Sequence, residues 1–210
     1  MKQRLYLRAI HRALMETPHA QRQYSRKVVF GWSMYDFANS AFTTLVVTFV
    51  YGTYFTGYMV LAPDASGMLV PDPEAGTVLW SRAVALTAIL VALLSPFLGA
   101  LADRGGVRKR FLLTTTILCV AGTMGLFFAE PGQAMRALLW FVIANVAFEM
   151  GMVFYNAYLP DITPQSQIGR VSGYGWALGY VGGLLCLVAA LVDETAQQSY
   201  YSRRLIFIAG

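Results

Sequence analysis

Residues Gly99 to Arg110 form a short, strongly basic turn set between two apolar runs, each of them long enough to cross a bilayer. A soluble core cannot leave two such flanks uncovered, so the turn joins two transmembrane helices, and its cations Arg104, Arg108, Lys109 and Arg110 place it on the cytoplasmic side. Asp103 closes the incoming helix and the basic residues open the outgoing one, the wrong sign for the helix macrodipole at both ends. That misplacement costs about 0.3 to 1 kcal/mol per charge, whereas a cation beside anionic headgroups gains roughly 1 kcal/mol. Asp103 gains nothing from headgroups and requires a protein partner.

Composition agrees with a polytopic membrane protein. The chain is 57% hydrophobic and only 13% charged, with a mean hydropathy of +0.52, well under the charge of a soluble domain. Cys119 and Cys186 both lie within apolar runs and away from any His, so neither a disulfide framework, a metal site nor a cofactor is indicated. The net charge of +5 comes from cations beside membrane segments, which points to lipid headgroups rather than nucleic acid.

In chain order, residues 1–27 carry Lys2, Arg4, Arg8, Arg12, Arg22, Arg26 and Lys27 against Glu16 alone, with no apolar core of a signal peptide. This is a basic cytoplasmic tail, either partly helical on the headgroups or solvated and unstructured. A transmembrane bundle is expected over 28–210, with spans at about 28–59, 80–102, 111–129, 137–159 and 171–192. An incomplete sixth run over 205–210 is too short to cross, so the chain reads as a fragment. The loops at 61–77, 130–132 and 193–204 are expected outside, and the one at 160–170 inside. Twelve of the sixteen Lys and Arg residues then fall on the cytoplasmic side, which places the amino terminus inside the plasma (inner) membrane. The third span, 111–129, carries no charge, and its uniformity suggests lipid exposure.

Two ionisable residues sit within spans, and each costs a few kcal/mol unless it faces protein or water. Asp36 shares one helical face with Trp32, Asn39, Ser40 and Thr43; Glu149 shares another with Asn145, Met152 and Asn156. At 1.5 Å per residue the two acids lie about 12 and 15 Å from the cytoplasmic ends of their helices, close to one layer. A carboxyl away from water favours its neutral form, as suits a proton carrier. Two roles fit: titration or cation binding in a wet passage, with Asn39, Asn145 and Asn156 hydrogen-bonding substrate, or packing between helices. Gly175, Gly179, Gly182 and Gly183 form a small-residue stripe on the fifth span for close helix approach, flanked by Trp176. Asp161 is placed to receive Arg104 or Arg108, as a latch or as an ordinary surface pair. No phosphate loop, nucleophile and base pair or metal-ligand spacing is present, so an enzyme is disfavoured.

Gly99, Leu101, Ala102, Asp103, Arg104, Gly106 and Arg108 resemble the loop between helices 2 and 3 of the major facilitator superfamily, with Val107 in place of the first of the usual basic pair. Gly31 to Phe42, Phe154 to Asp161 and Gly173 to Tyr180 resemble the bacterial form of the subfamily related to vacuolar amino-acid effluxers. The resemblance implies an all-α, amino-terminal six-helix half of a major facilitator fold, in which helices 1 and 4 line the central cavity. It also implies a cytoplasmic ion cluster of Asp103, Arg104, Arg108 and Asp161 that gates the cycle. Gly175, Gly179 and Gly183 resemble the glycine-proline motif of the superfamily's antiporters, with Tyr180 at the proline position. The expected activity is secondary transport of a small polar metabolite, an amino acid by subfamily resemblance, driven by a proton or substrate gradient and completed by a carboxy-terminal half. A non-transporting membrane sensor or scaffold is the alternative.

Overall fold

The computed structural model describes residues 25–102 and 106–209, with side chains assigned over 25–101 and 106–193. The tail expected over 1–27 falls almost wholly outside these residues, as do Asp103 and Arg104.

The first expected span is helical but not one helix. An α-helix, α1 (Arg26–Ala41), passes into a π-helical stretch (Phe42–Phe49), then into α2 (Tyr51–Tyr54) and a second π-helical stretch (Phe55–Met59). The first stretch is rich in β-branched residues (Thr43, Thr44, Val46, Val47, Thr48), which crowd an α turn. Its hydroxyls also bond to the backbone: Thr43 Oγ1 donates to Ser40 O at 3.1 Å and Thr48 Oγ1 to Thr43 O at 2.9 Å. Val50 N–H accordingly bonds five residues back, to Leu45 O at 3.0 Å.

A small hairpin follows, where only a loop is expected. Strands β1 (Leu61–Pro63) and β2 (Leu69–Pro71) pair antiparallel, with Ala62 opposite Val70. Asp64 organises the turn, accepting from Ser66 Oγ at 2.6 Å, Ser66 N–H at 2.8 Å and Met68 N–H at 3.0 Å. These donors, the Ser66 hydroxyl first, hold the Asp64 carboxyl below the usual carboxylate range. Gly67 supplies the left-handed residue the turn needs, at φ 79°.

Helix α3 (Pro73–Ala102) starts on a proline, with Asp72 Oδ1 accepting from Ala75 N–H at 3.0 Å as its cap. Helices α4 (Arg108–Phe127) and α5 (Ala134–Asn156) follow, then the short α6 (Leu159–Ile162) and a 3₁₀ turn (Gln165–Gln167). Among the described residues four helices are long and apolar enough to cross a membrane, over Pro73–Leu101, Arg108–Phe127, Ala134–Ile162 and Gln165–Asp193. The last belongs to α7 (Ile168–Ala209), which runs on through 193–204. The external loop and the fresh sixth run expected there are instead one continuous helix. Charge at Asp193 and Glu194 marks the end of the apolar run, but no Gly or Pro interrupts the backbone before Gly210, and the segment is rich in helix formers.

Helix α5 is the centre of the bundle. It packs on α3 and α4, while α7 lies along α1 and the first π-helical stretch. Phe55, Phe141 and Phe154 are fully buried in the resulting core. Helix α4 presents Leu113, Ile117, Val120 and Met124 outward, as its uniformity suggests, yet buries Thr115, Cys119 and Gly122 on α5. A Cβ at Gly122 would stand 2.9 Å from Ala144 Cβ, so the glycine is what lets the two helices meet. Cys119 and Cys186 are both free thiols.

Candidate functional site

A cavity of about 860 Å³ opens between α1 with its π-helical continuation, α5 and α7, within the size range of small-molecule sites. From the first pass come Asp36, Ser40, Thr43, Thr44 and Thr48; from α5, Phe148, Glu149, Met152 and Asn156; from α7, Trp176, Gly179, Tyr180 and Leu184. Neither Asp36 nor Glu149 has a hydrogen-bond or ion-pair partner among the described residues, and no Lys or Arg lines the cavity. The wall therefore offers two carboxyls, a row of hydroxyls and several aromatic rings, the combination that receives a positively charged group.

The structure brings Asp36, Thr43, Glu149, Asn156, Trp176 and Gly179 to this wall. It places two expected members elsewhere. Asn145 is buried against α3, its Nδ2 donating to Thr87 Oγ1 at 2.9 Å. Asn39 lies behind the lining, with Nδ2 3.5 Å from Met152 Sδ. Sequence reasoning passes over Thr44, Thr48 and Tyr180, although Thr44 and Thr48 become lining residues in a stretch where the α-helical period no longer applies.

One turn before Asp36 on α1, aromatic rings tie α1 to α5. Trp32 stacks on Tyr155 at 4.4 Å between centroids and donates from Nε1 to Tyr155 O at 3.1 Å. Tyr35 stacks on the same ring at 5.2 Å and shares a 2.9 Å hydrogen bond with Thr116 Oγ1. The glycine stripe of α7 faces this stack and the acid beside it. A Cβ at Gly175 would stand 2.7 Å from the Trp32 ring, and one at Gly179 would stand 2.8 Å from both Asp36 Oδ2 and Ser40 Oγ. Gly182 and Gly183 meet the Phe37 backbone and the Thr44 hydroxyl in the same way.

Beyond the stack, on the same side, Arg108 at the start of α4 pairs with Asp161 on α6. Asp103 and Arg104, the other expected members of this cluster, lie outside the described residues.

Long apolar helices with polar side chains gathered on one concave wall define a polytopic membrane protein built around an internal cavity. The chain belongs to the family described as vacuole effluxer Atg22 like, whose model matches residues 77–210. It is 30% identical over 160 residues to an uncharacterized MFS-type transporter, YxiO, of Bacillus subtilis (strain 168), covering 76% of this chain and 36% of that protein. It is 33% identical over 114 residues to an uncharacterized protein of Aquifex aeolicus (strain VF5), covering 52% of this chain and 28% of that one. The chain thus spans about a third of the length of the curated relatives it matches. No solved structure matches.

Proposed function

We propose that this chain forms the amino-terminal part of a secondary carrier that moves a small polar metabolite, an amino acid by family likeness, by alternating access. The observation that carries the reading is the pair of acids, Asp36 and Glu149, on one cavity wall with no partner of their own among the described residues. In this reading Glu149 and Asp36 receive the substrate ammonium or a proton, Thr43 and Asn156 hydrogen-bond the substrate, and Trp176 gives it an aromatic wall. Asn39 and Asn145 support the wall from behind.

The lining supplies no cation for a substrate carboxylate. A second, carboxy-terminal half facing this one would provide that contact and close the cavity, as expected for a site between two repeats. Asp103, Arg104, Arg108 and Asp161 form the cytoplasmic gate, and Gly175, Gly179 and Gly183 let α7 slide close along α1. The proposed setting is the plasma (inner) membrane with the amino terminus inside, where the positive-inside rule puts it. Export, driven by a proton or substrate gradient, is the direction by family likeness.

The test is counterflow of a radiolabelled amino-acid mixture in proteoliposomes holding the complete protein. Glu149→Gln is expected to abolish accumulation. Full, pH-dependent counterflow by that variant would remove Glu149 from the mechanism, and absence of any counterflow in the parent would favour a sensor built on a carrier fold.

A further inference from the structure

The groove between α1 and α7 holds more oxygen than packing requires. Tyr155 is 3% exposed, and its hydroxyl has no hydrogen-bond partner among the described residues. It is aimed at the glycine stripe, 3.2 Å from where a Gly175 Cβ would be. One turn further along α7, about 6 Å away at 1.5 Å per residue, Asp36 Oδ2 and Ser40 Oγ are each 2.8 Å from the Gly179 Cβ position. A further turn on, the Thr44 hydroxyl meets Gly183. A buried, unpaired hydroxyl costs about 1 to 3 kcal/mol, and native structures rarely leave one without a water or ligand.

We propose that this seam is an occluded proton site, in which Asp36 is the acceptor and one water, held by Tyr155 Oη and Ser40 Oγ, delivers the proton. The inference rests on the reading that Asp36 serves the carrier, and it divides the labour between the two acids. Asp36, 9% exposed and wedged against Gly179, serves the proton; Glu149, which α5 contributes to the same cavity lining, serves the substrate. The step balances simply: an O–H bond of a hydronium breaks, a carboxyl O–H forms on Asp36, and water remains on the two hydroxyls.

Sodium fits the seam less well than a proton. The oxygens are strung over about 12 Å of helix, with a single carboxylate among them, and too few converge at any one point for a bare metal ion. Glycine is what lets α7 lie against the seam, because a Cβ at Gly175 would strike the Trp32 ring and crowd the Tyr155 hydroxyl, and one at Gly179 would strike Asp36 Oδ2 and Ser40 Oγ. The Trp32 and Tyr35 rings both stack on Tyr155, which holds its ring in place. The titratable groups facing Asp36 are Tyr155 and Glu149 from α5, Tyr180 from α7, and Tyr35 on α1 itself, which is tied to Thr116 of α4.

Infrared difference spectra of the full chain in lipid bilayers, taken between mildly alkaline and mildly acidic buffer, read this directly. The parent is expected to show the carbonyl band of a protonated carboxyl, Asp36→Asn to lose it, and Glu149→Gln to keep it. Tyr155→Phe preserves the stacked ring and removes only the unpaired hydroxyl; it should shift both the frequency of the band and its pH midpoint, and Ser40→Ala should do the same. A band lost in Asp36→Asn but identical to the parent in both hydroxyl variants overturns the seam while leaving Asp36 as the proton carrier. A band that survives Asp36→Asn overturns that underlying reading as well. Displacement of the band by sodium at constant pH would make the ligand a metal ion instead of a proton.

Discussion

The Asn145 and Thr87 pair separates packing from transport. Both residues are buried, and Thr87 Oγ1 already donates its proton to Val84 O at 2.7 Å, so it meets Asn145 only as an acceptor. Thr87→Val keeps the shape and leaves the Asn145 amide N–H without a partner; Asn145→Ala removes the donor. Interhelical hydrogen bonds within membranes couple by about 0.6 kcal/mol on average and up to ~1.7 kcal/mol. Complete burial of Thr87, at 1% exposed, and a committed hydroxyl proton put this pair in the upper part of that range, about 1 to 1.7 kcal/mol. A double-mutant cycle read by detergent-induced unfolding in mixed micelles measures the coupling directly. The single variants should retain counterflow, because neither side chain reaches the cavity wall. A coupling energy near zero, together with a marked loss of substrate affinity in Asn145→Ala, would refute the assignment and return Asn145 to the substrate site.

Other expected outcomes follow from the same geometry. Gly179→Ala puts a methyl group against Asp36 and Ser40, an overpacking of about 1 to 3 kcal/mol; transport should fall about 5- to 150-fold, whereas Gly169→Ala, which meets nothing within 4 Å, should be silent. Arg108→Gln is expected to change stability by less than about 1 kcal/mol, since Asp161 is half exposed, but to alter the rate of counterflow; an unchanged rate would leave the pair as surface decoration. Asp64→Ala should speed amide exchange at Ser66 and Met68. Because the folded hairpin lowers the proton affinity of Asp64, its support is fully present above the ordinary carboxylate range and is lost as pH falls through and below that range. The protection of those two amides, taken relative to their intrinsic exchange rate at each pH, should fall over the same interval.

The three middle passes were legible because long apolar runs bounded by turn residues admit few other structures. Expected spans at 80–102, 111–129 and 137–159 fall on α3, α4, and α5 with α6. Hydropathy could not show the length of α7, because a helix continues past the bilayer wherever its residues permit, and charge marks the water rather than the helix end. Helical periodicity located Asp36, Glu149 and Asn156 on the wall, but Asn145 stands about 40° from Glu149 around the helix. A stripe that wide touches two neighbours, and only packing decides that Asn145 belongs to α3. Tyr155 was invisible for another reason: an aromatic residue among aromatics reads as core, and its unpaired hydroxyl exists only once Trp32, Tyr35 and Gly175 have been brought around it.

The π-helical stretch Phe42–Phe49 winds more residues into each turn than the α1 segment before it. Removing a single residue there would let the backbone tighten to the ordinary pitch while the segments on either side kept their bearings. Alignments with relatives should therefore place a one-position gap between Thr43 and Thr48. A shortened chain should still insert and fold, with its threonines turned away from the space that Asp36 and Glu149 share.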